Sequence, residues 1–294
     1  MPKQSQLVAA ALAAGGFLAG SAAQAVELVA VTTDNRLTTF DSASPSMLGP
    51  FVEITGITPG ARIVGIDTRP GDNKVYGVGT DNMLYTLDIT TGAATLHSTL
   101  SGASIDPMLS YGMDFNPVAD AAAGSSLRLV SSDGSNFAIN ADTGVIGNTT
   151  SVIPTNFGGV AYTNSTSDPA PAATSLYYID FTSDMLYVAT SAFNTPTITA
   201  VGSLGLDTIG AFGFDILADG SAYATLTSGV TGLSGLYGID LATGAATLLG
   251  EFGDATPLLA GMTAAPVPEA ETYAMMLAGL GLVGWMARRR KPQA

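Results

Sequence analysis

Gly65-Ile66-Asp67, Gly112-Met113-Asp114, Gly159-Val160-Ala161, Gly213-Phe214-Asp215 and Gly261-Met262-Thr263 form a column in the sequence, at steps of 47, 47, 54 and 48 residues. A second column, Phe40-Asp41, Leu87-Asp88, Ile139-Asn140, Ala189-Thr190 and Ile239-Asp240, steps by 47, 52, 50 and 50. Two independent columns with one period define a repeat of about 48 residues, a length typical of arrayed or radial units.

The units also match internally. Val75 to Tyr85 aligns with Tyr177 to Tyr187, and each has a polar pair, Asp81-Asn82 or Ser183-Asp184, between β-rich flanks. Asp34-Asn35 and Asp133-Gly134 occupy the same place in two other units. Such pairs tolerate left-handed backbone and mark hairpins. A later turn recurs as Asp88 to Gly92, Asn140 to Gly144 and Asp240 to Gly244. There an Asx side chain can cap the turn while glycine takes the positive φ.

About four short strands per unit, with almost no helical periodicity, predict an all-β propeller-like fold. Solenoid rungs are shorter, and sandwiches do not repeat so regularly. The domain opens mid-unit at Leu28-Val29-Ala30-Val31, and nothing of the domain follows Gly261-Met262-Thr263. Five blades are therefore expected, over 62–104, 105–155, 156–204, 205–252, and a shared one built from 26–61 with 253–265, within a domain at 26–265.

Both ends carry targeting signals. Lys3, an uncharged run from Leu7 to Leu18 and then Ala23-Gln24-Ala25 read as a secretory signal peptide over 1–25, cut by signal peptidase after Ala25. At the other end, Tyr273 to Ala287 carries no charge and is followed by Arg288-Arg289-Arg290-Lys291. As a helix those fifteen residues would rise about 22 Å, short of a hydrocarbon core of about 30 Å. A short apolar helix over 273–287 with a basic stop at 288–291 suits a transient inner-membrane anchor, its arginines on the cytoplasmic side.

Val267-Pro268-Glu269, Thr272, the segment Met275 to Leu282, and Arg288, Arg289 and Arg290 together resemble a PEP-CTERM sorting signal, over 266–294. Ala270 stands where that family usually has a second proline. The resemblance implies processing by an exosortase in the inner membrane of an exopolysaccharide-producing Gram-negative bacterium. It also implies a final place at the cell surface or in the extracellular, biofilm-associated matrix. The domain itself resembles the family called domain of unknown function 4394. The likeness rests on Glu27 to Asn35, Val64 to Pro70, Tyr111 to Pro117, and the Thr-Gly-Ala-Ala-Thr-Leu turns starting at Thr91 and Thr243. It implies no particular activity.

Composition narrows the function. Setting aside Glu269 and Glu271, 22 acidic residues face five basic ones in the domain: Arg36, Arg62, Arg69, Lys74 and Arg128. A surface this negative repels phosphate backbones, so nucleic acid is not an expected partner. The chain has no cysteine, which excludes disulfides and thiolate metal sites. Its only histidine, His97, has no second histidine for a zinc site or base, and reads as an ordinary residue of an outer strand. Gly279 to Gly284 matches a dinucleotide fingerprint as a string, but it follows no strand and ends ten residues before the C-terminus.

Asp67, Asp114 and Asp215 are the candidate metal ligands. The first strand of each blade lines a propeller's channel, so three carboxylates could converge there on calcium. The plainer alternative has each aspartate ending its strand and capping the following turn. No catalytic or cofactor-binding constellation stands out. The expected function is that of a non-catalytic binding or structural module for exopolysaccharide or a surface protein. The alternative is a calcium-assisted extracellular enzyme acting on carbohydrate or a small ester through the channel.

Overall fold

Runs of β-branched and aromatic residues, cut at intervals by Asx and glycine, form twenty short strands among the described residues. The computed structural model describes residues 25–122, 124, 126–152, 156–253 and 256–266. The signal segment before Ala25, the sorting residues Val267, Pro268, Glu269, Arg288, Arg289 and Arg290, and the helix expected over 273–287 lie outside them.

The chain opens with β1 (Glu27–Thr32), β2 (Arg36–Asp41) and β3 (Val52–Glu53), three strands of a blade whose fourth arrives last. The first complete blade is β4 (Ile63–Arg69), β5 (Lys74–Gly79), β6 (Met83–Leu87) and β7 (Ala94–Thr99). The second is β8 (Tyr111–Phe115), β9 (Leu127–Ser131), β10 (Ser135–Ile139) and β11 (Ile146–Ser151), with a single helical turn, α1 (Pro117–Ala121), after β8. The third is β12 (Phe157–Tyr162), β13 (Leu176–Asp180), β14 (Met185–Ala189) and β15 (Thr199–Ser203). The fourth is β16 (Thr208–Ile216), β17 (Ala222–Ser228), β18 (Ser234–Ile239) and β19 (Ala246–Glu251). Then β20 (Leu259–Ala264) pairs antiparallel with β1, giving the sheet order β20-β1-β2-β3 and closing a five-bladed ring.

The expected shared blade is therefore present, joined in the register Leu28↔Ala264 to Val31↔Gly261. The hairpin reading also holds. Asn35, Asn82 and Asp184 have positive φ at the turns between second and third strands, and Gly134 does so in the second blade. The helical turn α1 was not expected. Asn116 caps it, accepting from Val118 and Ala119 N–H, and Pro117 stands in its first turn, where a missing N–H costs nothing.

The core is layered between blades. Tyr76, Val78, Phe115 and Leu127 fill the first joint, and Val130, Phe157, Val160 and Tyr178 the second. Ala161, Ile179, Phe214 and Ile216 fill the third, Leu28, Phe40, Tyr223 and Met262 the fourth, and Val29, Leu37, Ile66 and Val75 the fifth. Inner strands are buried on both faces, so they read as continuous apolar runs rather than alternating ones.

The column glycine sets the width of the axis. A Cβ on Gly112 would stand 2.6 Å from Val160 N, and one on Gly213 would stand 2.5 Å from Met262 N. The innermost strands approach so closely that only glycine fits between them.

Candidate functional site at the axial mouth

Two residues after each column glycine, the side chain meets the next blade. Asp67 Oδ2 accepts from Phe115 N–H at 2.7 Å, Asp114 Oδ1 from Tyr162 N–H at 3.0 Å, and Asp215 Oδ2 from Ala264 N–H at 2.7 Å. At the fifth joint Thr263 Oγ1 accepts from Thr68 N–H at 3.0 Å. Ala161 has no polar group to offer the fourth blade. Four joints are thus stitched at the axis by the column's own side chain, and at the third joint the column offers none. This corrects the plainer sequence expectation: the aspartates do not cap their own turns. Asn116 caps α1, while Asp72 and Asp219 accept from Lys74 and Ser221 N–H in the other two turns.

The stitching brings the three acids together. One carboxylate oxygen from each of Asp67, Asp114 and Asp215 lies within 4.8 Å of the others, and all three residues are buried. Burial pushes the Asp67 carboxyl well above the usual range, and the neighbouring Asp215 charge adds to this. Asp114 is raised likewise by burial and then by Asp67 and Asp215. Burial also raises Asp215, against its bonds to Ala264 and Thr263. The Thr263 hydroxyl lies 2.9 Å from Asp67 Oδ1 and 3.2 Å from Asp215 Oδ2, so its one proton can serve only one of them.

Three carboxylate oxygens no more than 4.8 Å apart are close enough for one cation to touch all of them, so the triad could hold an ion such as calcium. One oxygen of each carboxylate is nevertheless already committed to a backbone N–H of the next blade, a role that needs no ion.

Above Asp67 and Asp215 a cavity of about 750 Å³ opens at one end of the ring. Its walls come from the loops that follow the innermost strands: Arg69 to Asn73, Ser165 to Ser167 and Leu217 to Asp219. Ala25 to Glu27 and Ala264 to Pro266 complete it, so both ends of the described domain lie at this mouth. Asp114 is not part of the lining.

Arg69 fixes one wall. Its Nε donates to Asp120 at 2.7 Å and its Nη1 to Asp142 at 2.6 Å, tying the first blade to the second, and its guanidinium lies over the Tyr76 and Phe115 rings. Burial works against this charge, yet the bonds to Asp142 and Asp120 carry the Arg69 pKa above its ordinary value. Asp142 is correspondingly lowered, first by Arg69. His97 sits on the outer strand β7, 3.5 Å from Asp142 Oδ1 and edge-on to Tyr76, away from the mouth lining.

Residues 36–262 match the family model described as domain of unknown function (DUF4394). The chain belongs to that family. In this DUF4394 protein, residues 266–291 match the PEP-CTERM protein-sorting motif, which marks it for exosortase-sorted export in Gram-negative bacteria. No curated protein matches the chain. Among solved structures, a chain in a crystal structure of a nidogen/laminin complex is 15% identical at a TM-score of 0.48, the match covering 82% of this chain and 98% of that one. A protein of unknown function from Bacteroides caccae is 8% identical at a TM-score of 0.42, covering 83% and 100%.

Sequence reasoning brought Asp67, Asp114 and Asp215 to the axis; Ala25, expected as the signal-cleavage residue, is exposed on the mouth. It missed the rest of the lining. Arg69-Pro70, one residue beyond the first column triplet, was the available signal for Arg69. It also missed that the hairpin residues reach across joints: Asn35 Oδ1 accepts from Ile63 N–H, Asn82 Oδ1 from Ile105 N–H and Asp184 Oδ1 from Thr208 N–H.

Proposed function

We propose that this exported ring is a non-catalytic binding module of the cell surface or exopolysaccharide, and that the ligand enters the axial mouth. The observation that carries this reading is the 750 Å³ cavity itself, walled by turns from three blades and the two ends of the shared one, and floored by Asp67, Asp215 and Thr263. Among its lining residues Ser165, Thr166, Ser167, Arg69 and Asp72 supply polar groups beside apolar surface, a mixture that suits a sugar chain.

Ala218 is an exposed lining residue, so Ala218→Trp fills the mouth without touching the core. Sedimentation with exopolysaccharide purified from the producing strain should show wild-type protein co-pelleting and the variant losing most of that binding. Equal binding by both proteins, or release of reducing ends from the polysaccharide, would overturn the reading.

A further inference from the structure

The two ends of the ring differ chemically, and the sorting tail leaves from one of them. The mouth is walled by residues that follow the innermost strands and carries Glu27, Asp72 and Asp219 beside Arg69, with Asp67 and Asp215 buried at its floor. The opposite end is formed where those strands begin and at the β17–β18 turn. It exposes apolar side chains: Met108 is 87% exposed, Val230 84%, Ile209 62% and Leu258 55%.

Pro266, the last described residue, lies in the lining of the mouth. Six residues, Val267 to Thr272, separate it from the uncharged stretch that begins at Tyr273. Even fully extended, six residues reach only about 20 Å. Repulsion between the acidic mouth and anionic lipid is largely screened over that gap, since the Debye length is about 8 Å at physiological salt. The tether therefore limits orientation more strongly than charge opposes it.

We infer that, while the tail holds the chain in the inner membrane, the ring stands with its mouth toward the bilayer and its apolar end away from it. Removal of the tail then frees the ring from that orientation. The inference deepens the reading of the mouth as a binding site, yet its geometry is testable without any ligand.

The absence of cysteine makes the test direct. Ser167→Cys and Ala218→Cys place a thiol on the mouth, while Met108→Cys and Val230→Cys place one at the opposite end. Spheroplasts of cells lacking the exosortase, which retain the full chain, are treated with a 5-kDa polyethylene glycol maleimide, and so is the processed protein from exosortase-containing cells. In the retained precursor the mouth thiols should react several-fold more slowly than the far ones, and after processing that difference should vanish. Using two sites at each end separates orientation from misfolding, because each variant's melting temperature is compared with wild type. Equal rates in the precursor, the same ratio before and after processing, or a precursor found in the soluble fraction would each overturn the inference.

Discussion

The second and third joints of the ring share the same column yet are built differently. Between the second and third blades, Asp114 reaches Tyr162 N–H, and buried Arg128 donates to Tyr162 Oη, Asn136 and Asn194. Between the third and fourth blades, Ala161 stands in the acid's place, and Ile179, Phe214 and Ile216 close the axis with apolar contact, the Asp184–Thr208 bond lying at the hairpin end of the blade. Both joints keep the column glycine: a Cβ on Gly112 would meet Val160 N at 2.6 Å, and one on Gly159 would meet Phe214 Cβ at 2.8 Å. The glycine is thus the geometric requirement of ring closure, whereas the aspartate is a local supplement.

The largest expected effect tests the shared part. Gly112→Ala and Gly159→Ala should each cost about 3 kcal/mol in urea unfolding, because the added methyl meets atoms that cannot turn aside. A much smaller loss at Gly159 would mean that an apolar joint can widen where a stitched one cannot.

Next comes the part that differs. Asp114→Ala leaves the Tyr162 N–H without its acceptor and should cost about 1–3 kcal/mol, while Asp114→Asn keeps an oxygen there and should recover most of it. The pH dependence follows from the same carboxyls. Asp67, Asp114 and Asp215 have folded pKa values above their unfolded ones, so their stabilising contribution is full below the ordinary carboxylate range and is lost as pH rises through the folded values. Asp142 and Asp34 are lowered, so their contribution is lost only as pH falls through the acid range. The melting temperature should therefore decline between mildly acidic and mildly alkaline pH, and Asp67→Asn/Asp114→Asn should flatten that decline. A rise with pH in wild type would contradict the assignment.

The smallest expected effect concerns calcium. With carboxylate oxygens committed to neighbouring blades, millimolar calcium should leave the melting temperature within a degree or so of its starting value. A clear calcium-induced rise that Asp67→Asn/Asp114→Asn abolishes would instead assign the axial triad to a cation.

Much of this architecture was legible because it is periodic. The glycine column and the Asx turns mark local backbone demands, and those repeat wherever a blade repeats. The closing blade was legible from the phase of the repeat, since Leu28 to Val31 and Gly261 to Thr263 are halves of one unit. The partners of the acids were not legible. Asp67 bonds Phe115 and Asp114 bonds Tyr162, each 48 residues onward in the next blade, and repetition reveals a role without naming its partner. The Arg69–Asp120–Asp142 clamp is not repeated at all, so no column could expose it.

The pairing of β1 with β20 also has a consequence in time. A chain that crosses a membrane from its N-terminus delivers β1 first and its closing partner some 230 residues later, immediately before the sorting segment. Through that interval the early strands present a bare edge, the kind of edge that invites wrong pairing. The closing pair can form only once β20 has emerged, so closure of the ring waits until almost the whole domain has been delivered.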